Sequence, residues 1–392
     1  MTTEIILIII IAIFVLFSGL VSLFWYAFRF EVTNFQLINN KIYLKNKSNQ
    51  KNKNNIDKLE SSAGNSTINE DLNLKILHLS DFHLRNDFKG EKLRKFIKIL
   101  SLDSYDFIFI TGDMVEKDDL QNKLIETLKP FRAKYGIYAV FGAHDYYNKK
   151  PTEFIKNMFK KRESYSRKNN VTGLRKKLES IGVKVLQNEN VILKNTAGYD
   201  EIDIIGVDDP IINKMDLSKS LAGIFKDNKV VKIINLLSDL TKQNKSQESN
   251  FINEQNEIKN QRNQYLINTL AIKKTNEYKQ TFSLSEDNFH ELNEKSRVKI
   301  ALIHTPDSYA LVNLALNAVD IVFAGHTHGG QVRIPFKGAI ISGCNLKTKY
   351  AAGLFYFKKF VLQVSKGLGE GRFSRFRIYC NPEAIITYLI KK

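Results

Sequence analysis

Seven short apolar runs constrain the fold of this 392-residue chain more than any other feature of its sequence. Each run has five or six residues and is rich in Ile, Val, Leu or Phe. Runs of this length and composition are typical of buried β-strands and are too short for most helices. The predicted strands comprise residues 74–79, 107–111, 137–141, 202–207, 298–303, 319–323 and 360–364.

Helical periodicity separates several of these predicted strands. Within residues 90–102, four apolar side chains recur at the i, i+3, i+4, i+7 spacing that places them on one helix face. Residues 174–181 and 308–317 show a similar pattern. Because strands alternate with helices along the chain, the sequence predicts a layered α/β domain.

Polar residues follow five of the predicted strands at the point where each strand ends. Five of the seven histidines in the chain occupy such positions. Ligands of open α/β sheets bind at this edge, so we expect the side chains to meet there. The residues concerned are Asp81, His83, Asp113, His144, Asp145, His304, His326 and His328.

This set of side chains suits divalent transition metals. Carboxylates and imidazoles without thiolates favour Mn, Fe or Zn over Ca or Mg, which prefer shells of oxygen. Asp-x-His and His-x-His bring two ligands to one point if the backbone turns as it leaves the strand. Two carboxylates and four histidines are too many for one tetrahedral site, but a pair of ions bridged by a carboxylate accommodates them. Such a pair activates a hydroxide for attack on a phosphoryl group.

A single histidine of this kind is most often a hydrogen-bonded structural residue. Five histidines at successive strand ends favour a metal site over that interpretation.

The ordered blocks SDFH, TGD, GAHD, a strand-end His and GHTHGG resemble the calcineurin-like metallophosphoesterase superfamily. The resemblance implies a β-sandwich of mixed sheets flanked by helices. Further features resemble its membrane-anchored bacterial branch, which includes UDP-2,3-diacylglucosamine hydrolases of lipid A synthesis. These features are an apolar N-terminus, the DDP sequence at 208–210, the GHTHGGQVRIPF segment and residues 365–371.

The resemblance also assigns roles to the polar residues. Asp113 would bridge two divalent ions, with Mn favoured and Fe or Zn as alternatives. His144, held by Asp145, would act near the scissile phosphate as general acid or as a transition-state donor. The other ligands would be Asp81, His83 and His328 for the first metal, and His304 and His326 for the second.

One position departs from the family pattern. Ala143 stands where the family has Asn, whose amide oxygen ligates the second metal, and Ala offers no donor atom. Either water or a nearby side chain fills this gap in an active enzyme, or the protein is a pseudoenzyme or a one-metal enzyme. Since all the other ligands and His144 are present, we expect activity.

Residues 5–28 form an uncharged apolar run of 24 residues. A run of this length spans a bilayer, and it exceeds the apolar core of a cleaved signal peptide, which is the alternative interpretation. Basic residues follow the run, namely Arg29, Lys41, Lys45 and Lys47. By the positive-inside rule we expect a single-pass anchor in the inner (cytoplasmic) membrane, with the catalytic domain facing the cytoplasm.

The charge distribution points to an anionic partner. The formal net charge is +18, and residues 149–177 contain 11 Lys or Arg but only two Glu. Aromatic residues interleave with this basic segment, which predicts a lid on an anionic bilayer, a single-stranded nucleic-acid contact or a solvated segment. The apolar N-terminus disfavours nucleic acid. Two cysteines, Cys344 and Cys380, are too few for a disulfide scaffold and fit a reducing compartment.

The predicted organisation has three parts. Residues 1–30 form the transmembrane anchor, 31–73 a strand segment with a polar linker, and 74–392 the metallophosphoesterase domain, with a low-complexity insertion at about 241–297. The predicted function is hydrolysis of a phosphodiester or pyrophosphate bond, with a phosphorylated lipid or a nucleotide-linked glycolipid such as UDP-2,3-diacylglucosamine as substrate. The alternatives are a general phosphodiesterase acting on nucleotides or phospholipids, and a membrane-tethered pseudoenzyme with an impaired second metal site.

Overall fold

A computed structural model describes residues 13–14, 30–39, 73–157, 162–224, 297–357, 359–371 and 375–391. The strands in these ranges are β1 (Glu31–Asn39), β2 (Asn73–Leu79), β3 (Phe107–Thr111), β4 (Ile137–Val140), β5 (Val183–Val185), β6 (Glu189–Thr196), β7 (Tyr199–Val207), β8 (Arg297–Ile303), β9 (Ile321–Ala324), β10 (Arg333–Ile334), β11 (Gly338–Ala339), β12 (Gly353–Phe357), β13 (Phe360–Val364) and β14 (Glu383–Lys391).

Seven α-helices lie in the same described ranges. They are α1 (Phe88–Leu100), α2 (Gln121–Leu128), α3 (Ala143–Tyr146), α4 (Pro151–Asn157), α5 (Val171–Ser180), α6 (Leu217–Ser220) and α7 (Ser308–Leu316).

Two six-stranded mixed sheets form the centre of the domain. The first has the order β1-β14-β2-β3-β4-β5, and the second has the order β12-β13-β9-β8-β7-β6. In the first sheet, β2 to β5 are parallel and β14 is antiparallel to β2. In the second sheet, β7, β8, β9 and β13 are parallel. The parallel strands of each sheet therefore end at a common edge, where the polar residues follow.

Strands that are apolar throughout pack between two layers, with each face against a different core. In β3, Phe107 and Phe109 pack in the core between the two sheets, whereas Ile108 and Ile110 pack in the core beneath the helices of the first sheet. Both faces of such a strand are buried, so no polar alternation is needed. A third core, which includes Leu311 of α7, covers the outer face of the second sheet.

The amphipathic helix α1 illustrates how the outer layer forms. Leu93 and Ile97 are buried on its inner face. The Asp87 carboxylate accepts a hydrogen bond from the Gly90 N–H at 3.0 Å and caps the first turn. The cap and the apolar stripe together fix where α1 begins and which face it buries.

The predicted layered α/β fold with mixed sheets is confirmed. All seven predicted strands are present, with small shifts of their ends. The strands β12 and β14 were not predicted, although β14 lies between β1 and β2 and completes the first sheet.

Two predicted segments lie largely outside the described residues. They are the membrane span at 5–28, of which only residues 13–14 are described, and the insertion at about 241–297, of which only Arg297 is described. Among the described residues, no helix has the length and hydropathy needed to cross a bilayer.

Candidate metal centre

The backbone turns sharply at the predicted ligands. Five of the six predicted metal ligands adopt positive φ, between 38° and 70°, as they leave their strands. Such conformations are uncommon for residues other than Gly and concentrate at functional sites. These five residues are Asp81, His83, Asp113, His326 and His328.

The first group of donors combines the loops after β2 and β9. Asp81, His83 and His328 offer ligand atoms that all lie within 4.8 Å of one another. The Nε2 atoms of His83 and His328 are 3.1 Å apart, and His328 Nε2 is 3.6 Å from Asp81 Oδ1. The predicted ligands of the first metal are therefore brought together.

A second group joins Asp81 to the loops after β3 and β8. Asp81, Asp113 and His304 also have ligand atoms within 4.8 Å of one another. Asp113 Oδ2 is 3.2 Å from His304 Nε2 and 3.5 Å from His83 Nε2. Asp113 thus lies between the two groups, as the predicted bridging ligand requires.

His326 lies at the margin of the second group. Its ring centroid is 5.2 Å from that of His304, and its Nε2 is 2.9 Å from the Gly343 carbonyl oxygen. Donation from Nε2–H to this carbonyl leaves Nδ1 as the ring nitrogen with a free lone pair. Among the described residues, His326 is outside both of these groups and outside a third group whose ligand atoms lie within 4.8 Å of one another, formed by His83, Glu116 and His144. Its backbone N–H also donates to both oxygens of Asp81, at 3.0 and 3.1 Å.

Glu116, which the sequence reasoning missed, connects His144 to the first group of donors. Its Oε1 accepts a hydrogen bond from His83 Nδ1 at 2.6 Å, and its Oε2 accepts one from His144 Nδ1 at 3.0 Å. One buried carboxylate therefore orients two imidazoles and leaves the Nε2 atom of each available. The signal in the sequence was its position three residues after Asp113.

The prediction that Asp145 holds His144 is wrong. The Asp145 carboxylate instead accepts backbone N–H groups, from Met114 at 2.9 Å, Val115 at 3.2 Å and Gly142 at 3.0 Å. A buried carboxylate must satisfy its lone pairs, and the two loops supply these donors directly. Asp145 therefore ties the loop after β3 to the loop after β4.

Glycine permits close approach at this edge. A Cβ atom on Gly142 would lie 2.3 Å from Asp113 Oδ1 and 2.7 Å from His304 Nε2. A Cβ on Gly369 would lie 2.1 Å from the Phe82 carbonyl oxygen. The glycine-rich segment 365–371 is thus a packing element against the first ligand loop, since Gly369 N–H donates to the Asp81 carbonyl.

The charges of the site depend on one another. Burial alone would raise the pKa of Asp113, but His304 and His144 hold it well below its usual range. Burial alone would lower the pKa of His304, but the Asp113 carboxylate raises this pKa well above the usual value for histidine. For His328, burial, His83 and Arg377 together lower the pKa well below the usual value. His328 is therefore neutral, the form in which imidazole binds metals.

The donor set fits divalent cations. His304 Nε2 is buried and makes no hydrogen bond, while His304 Nδ1 donates to the Thr111 carbonyl at 2.7 Å and fixes the ring. An oriented imidazole with its other nitrogen directed into a group of carboxylates is the usual arrangement of a metal-binding histidine. Ala143 is buried beside this group and contributes no donor, as the sequence indicates.

The described parts of the basic segment, residues 149–157 and 162–177, contact the rest of the domain. Lys149 is 4% exposed, lies 3.2 Å from the Glu163 carboxylate and stacks 4.6 Å from the ring centroid of Tyr165. Arg162 pairs with Asp307 at 2.9 Å. Acidic residues within and beyond the segment thus neutralise part of its charge. Met158 and Phe159, two of the interleaved apolar residues, lie outside the described residues.

Two grooves open beside the first group of donors and share His83, Arg85 and Glu370. One is a shallow groove of about 410 Å³, part of which is open to solvent, and it has an apolar lining with a basic rim. Its apolar residues are Phe30, Phe82, Leu93, Leu368 and Pro382, and its basic residues are Arg85, Lys89 and Lys92. The other is polar and encloses about 800 Å³ of space open to solvent.

The sequence profile of the calcineurin-like phosphoesterases matches residues 74–330. Similar curated proteins include the uncharacterised metallophosphoesterase YkoQ of Bacillus subtilis, 34% identical over 38% of this chain and 47% of its own length. A Bos taurus transmembrane protein with a metallophosphoesterase domain is 29% identical over 40% of this chain and 34% of its length. Phosphodiesterase YaeI of Escherichia coli is 31% identical over 25% of this chain and 34% of its length. The chain thus spans less than half of the length of these relatives.

Proposed function

The chain belongs to the calcineurin-like phosphoesterase family, and on this premise we propose that it hydrolyses a phosphodiester or pyrophosphate bond with two divalent metal ions. The expectation of a metal-dependent phosphoester hydrolase is confirmed at the level of the family and of the names of its relatives. The observation that carries the proposal is the convergence of two donor groups that share Asp81 and have Asp113 between them.

The side chains divide the chemistry between them. Asp81, His83 and His328 would hold one ion, Asp113 would bridge, and the second ion would be held by His304 and His326. When bound, the ions supply Lewis acidity that activates water and stabilises charge on the phosphoryl oxygens.

His144 serves as the proton donor in this proposal. Its Nδ1–H donates a hydrogen bond to Glu116, so Nε2 is the nitrogen that would exchange a proton with the substrate. Burial lowers the pKa of His144, and the Glu116 carboxylate acts in the opposite direction by stabilising the charged ring. As an imidazolium, His144 would protonate the departing oxygen.

The apolar groove beside His83 supports a substrate that carries a lipid. Its apolar lining would contact hydrocarbon next to the metal donors. The basic rim suits a phosphate or pyrophosphate that joins the lipid portion to the leaving group. We therefore favour a nucleotide-linked glycolipid such as UDP-2,3-diacylglucosamine, with nucleotides or phospholipids as alternatives.

Membrane attachment belongs to the same proposal. Residues 5–28 would anchor the chain in the inner membrane with the catalytic domain facing the cytoplasm, and the transmembrane relative supports this arrangement. Phe30, two residues beyond the apolar run, lines the apolar groove. A lipid substrate could thus reach the groove from the bilayer surface.

Hydrolysis assays with Mn²⁺ test the activity and its substrate. Purified full chain is expected to hydrolyse bis-p-nitrophenyl phosphate, and to hydrolyse UDP-2,3-diacylglucosamine with a higher kcat/KM than UDP-N-acetylglucosamine. Turnover of none of these substrates by Mn²⁺-loaded protein would contradict the proposal and favour the pseudoenzyme. Equal kcat/KM for the acylated and non-acylated substrates would reject the lipid and leave the general phosphodiesterase.

A charge reversal on the groove rim separates substrate recognition from chemistry. Lys92→Glu is expected to lower kcat/KM for the acylated anionic substrate while turnover of bis-p-nitrophenyl phosphate changes little. The matched control is Lys95→Glu, which places the same charge change on an exposed position of α1 outside the groove lining. Equal losses for the two variants would indicate a general charge effect and contradict recognition in the groove.

A further inference from the structure

The loop that follows β7 lies beside the second group of donors. In the parallel pairing of β7 with β8, Val207 is opposite Ile303, so residues 208 and 209 leave the sheet next to His304 and Thr305. On its other side this loop contacts α3, since the Tyr146 hydroxyl donates to Asp208 Oδ2 at 2.5 Å and Ile211 shares a core cluster with Ala143. The loop therefore lies between the helix that begins at Ala143 and the strand end that carries His304.

Asp209 is fully buried in this loop, and only one of its two carboxylate oxygens accepts a hydrogen bond at ordinary distance and angle. Its Oδ1 accepts a hydrogen bond from the Ile211 N–H at 3.1 Å. Its Oδ2 is buried near the Thr305 hydroxyl, which lowers the pKa of the carboxyl, but neither Asp209 Oδ2 nor Thr305 Oγ1 has a partner at ordinary hydrogen-bond distance and angle. An unpaired buried carboxylate oxygen is costly, and a cation is the partner that relieves the cost most completely.

Asp209 lies near predicted ligands of the second metal, although it is outside the groups of described residues whose ligand atoms all lie within 4.8 Å of one another. Burial raises the pKa of Asp209, and the charges of His304 and His326 act in the opposite direction because both rings lie near the carboxylate. His304 Nε2 and Thr305 Oγ1 are further buried atoms at this edge without a hydrogen bond, and His304 Nε2 lies 3.2 Å from Asp113 Oδ2.

We propose that the Asp209 carboxylate replaces the missing amide oxygen at position 143 and completes the second metal site with Asp113, His304 and His326. The donor lost at Ala143 is supplied from the neighbouring loop, so the second site keeps an oxygen ligand and gains a negative charge. This assignment rests on the proposed metal-dependent function, but its test reads metal binding directly and does not depend on any substrate.

Titration of metal-free full chain with Mn²⁺ tests the assignment, with free Mn²⁺ counted from its electron paramagnetic resonance signal. Wild-type protein is expected to bind two ions and to give the spectrum of a spin-coupled pair. Asp209→Ala is expected to bind the first ion normally and the second at least about tenfold more weakly, the scale seen for changes around metal ligands. The spin-coupled signal should be lost at concentrations that saturate the wild type.

Two further variants keep the result interpretable. Asp208→Asn changes the adjacent carboxylate, which bonds to Tyr146, and should bind two ions as the wild type does. The double variant Ala143→Asn with Asp209→Ala should recover the second ion, because the amide donor returns to its family position.

Two results would overturn the assignment. One is a folded Asp209→Ala protein that binds both ions with wild-type affinity, and the other is a double variant that does not recover the second ion. If Asp209→Ala fails to fold, Asp209→Asn retains the shape and the Oδ1 cap of Ile211. Unchanged affinity for the second ion in that variant would also reject Asp209 as a charged ligand.

Discussion

The two halves of the metal centre are supported to different degrees. In the first half, His83 is held by Glu116, and Asp81 accepts hydrogen bonds from Ser80 and from the His326 N–H. In the second half, His304 is fixed through Nδ1 and its Nε2 lies 3.2 Å from Asp113 Oδ2, but Ala143 brings no donor. The substitution at Ala143 therefore affects only the second half, and this is the half beside which the loop after β7 places the Asp209 carboxylate.

This difference shows where activity can be lost or kept. Loss of metal binding in the second half would give a one-metal enzyme or a pseudoenzyme. The first half retains every ligand of the family pattern, so we expect no such loss there. The following variants separate the two halves, beginning with the residue on which both depend.

Asp113→Ala should have the largest effect, because Asp113 lies within 3.5 Å of donors from both halves. Loss of several kcal/mol of charge stabilisation corresponds to at least about a 10³-fold fall in kcat for bis-p-nitrophenyl phosphate. Mn²⁺ binding should fall at both sites. Retention of one tight ion together with substantial turnover would show that the halves work independently.

His144→Ala should lower kcat by about 10²–10⁴-fold, the usual contribution of a positioned general acid. Since the side chain is outside the proposed ligand set, both Mn²⁺ ions should still bind. Steady-state kinetics beside the metal titration checks this separation. Turnover equal to wild type would remove His144 from the mechanism.

Glu116→Gln should weaken the first half without removing a ligand. Glutamine has one acceptor oxygen, so either His83 or His144 loses its carboxylate and the tautomer that it fixes. We expect a decrease of about 10–100-fold in activity or in affinity for the first ion. Weaker binding of the second ion alone would contradict the division of the centre into these halves.

Ala143→Asn in the wild-type background should have the smallest effect. If Asp209 already occupies the ligand position, affinity for the second ion changes by no more than about threefold, which is under 1 kcal/mol. The measurement is the same Mn²⁺ titration. A large gain in affinity and turnover would show that the second metal site lacks a ligand in the wild-type protein.

Much of the fold and most of the donor set followed from local sequence patterns. The strand β3 was predicted with its observed bounds because its run is buried on both faces and apolar throughout. The donors could be predicted because parallel strands bring their carboxyl ends to one edge, whatever the order of strands.

The remaining features depend on pairings between distant segments. Glu116 could not be assigned to His83 and His144 without knowing how the loop after β3 turns. Asp209 became a candidate ligand only when the register of β7 against β8 placed it beside His304. The apolar sequence of β14 was not assigned to a strand, and its place in the first sheet depends on partners, β1 and β2, that lie hundreds of residues earlier in the chain.

The position of β14 has a consequence for how the chain is made. The Thr33 hydroxyl donates to Glu383 Oε2 across 350 positions of sequence, at the junction where β14 enters between β1 and β2. During synthesis β1 leaves the ribosome early, and its partner follows only after both ligand-bearing halves have been translated. Closure of so distant a pairing is slow, and the waiting strand edge is exposed to wrong partners. We therefore expect the first sheet to be completed late, and the donors at its edge to acquire their final positions near the end of folding.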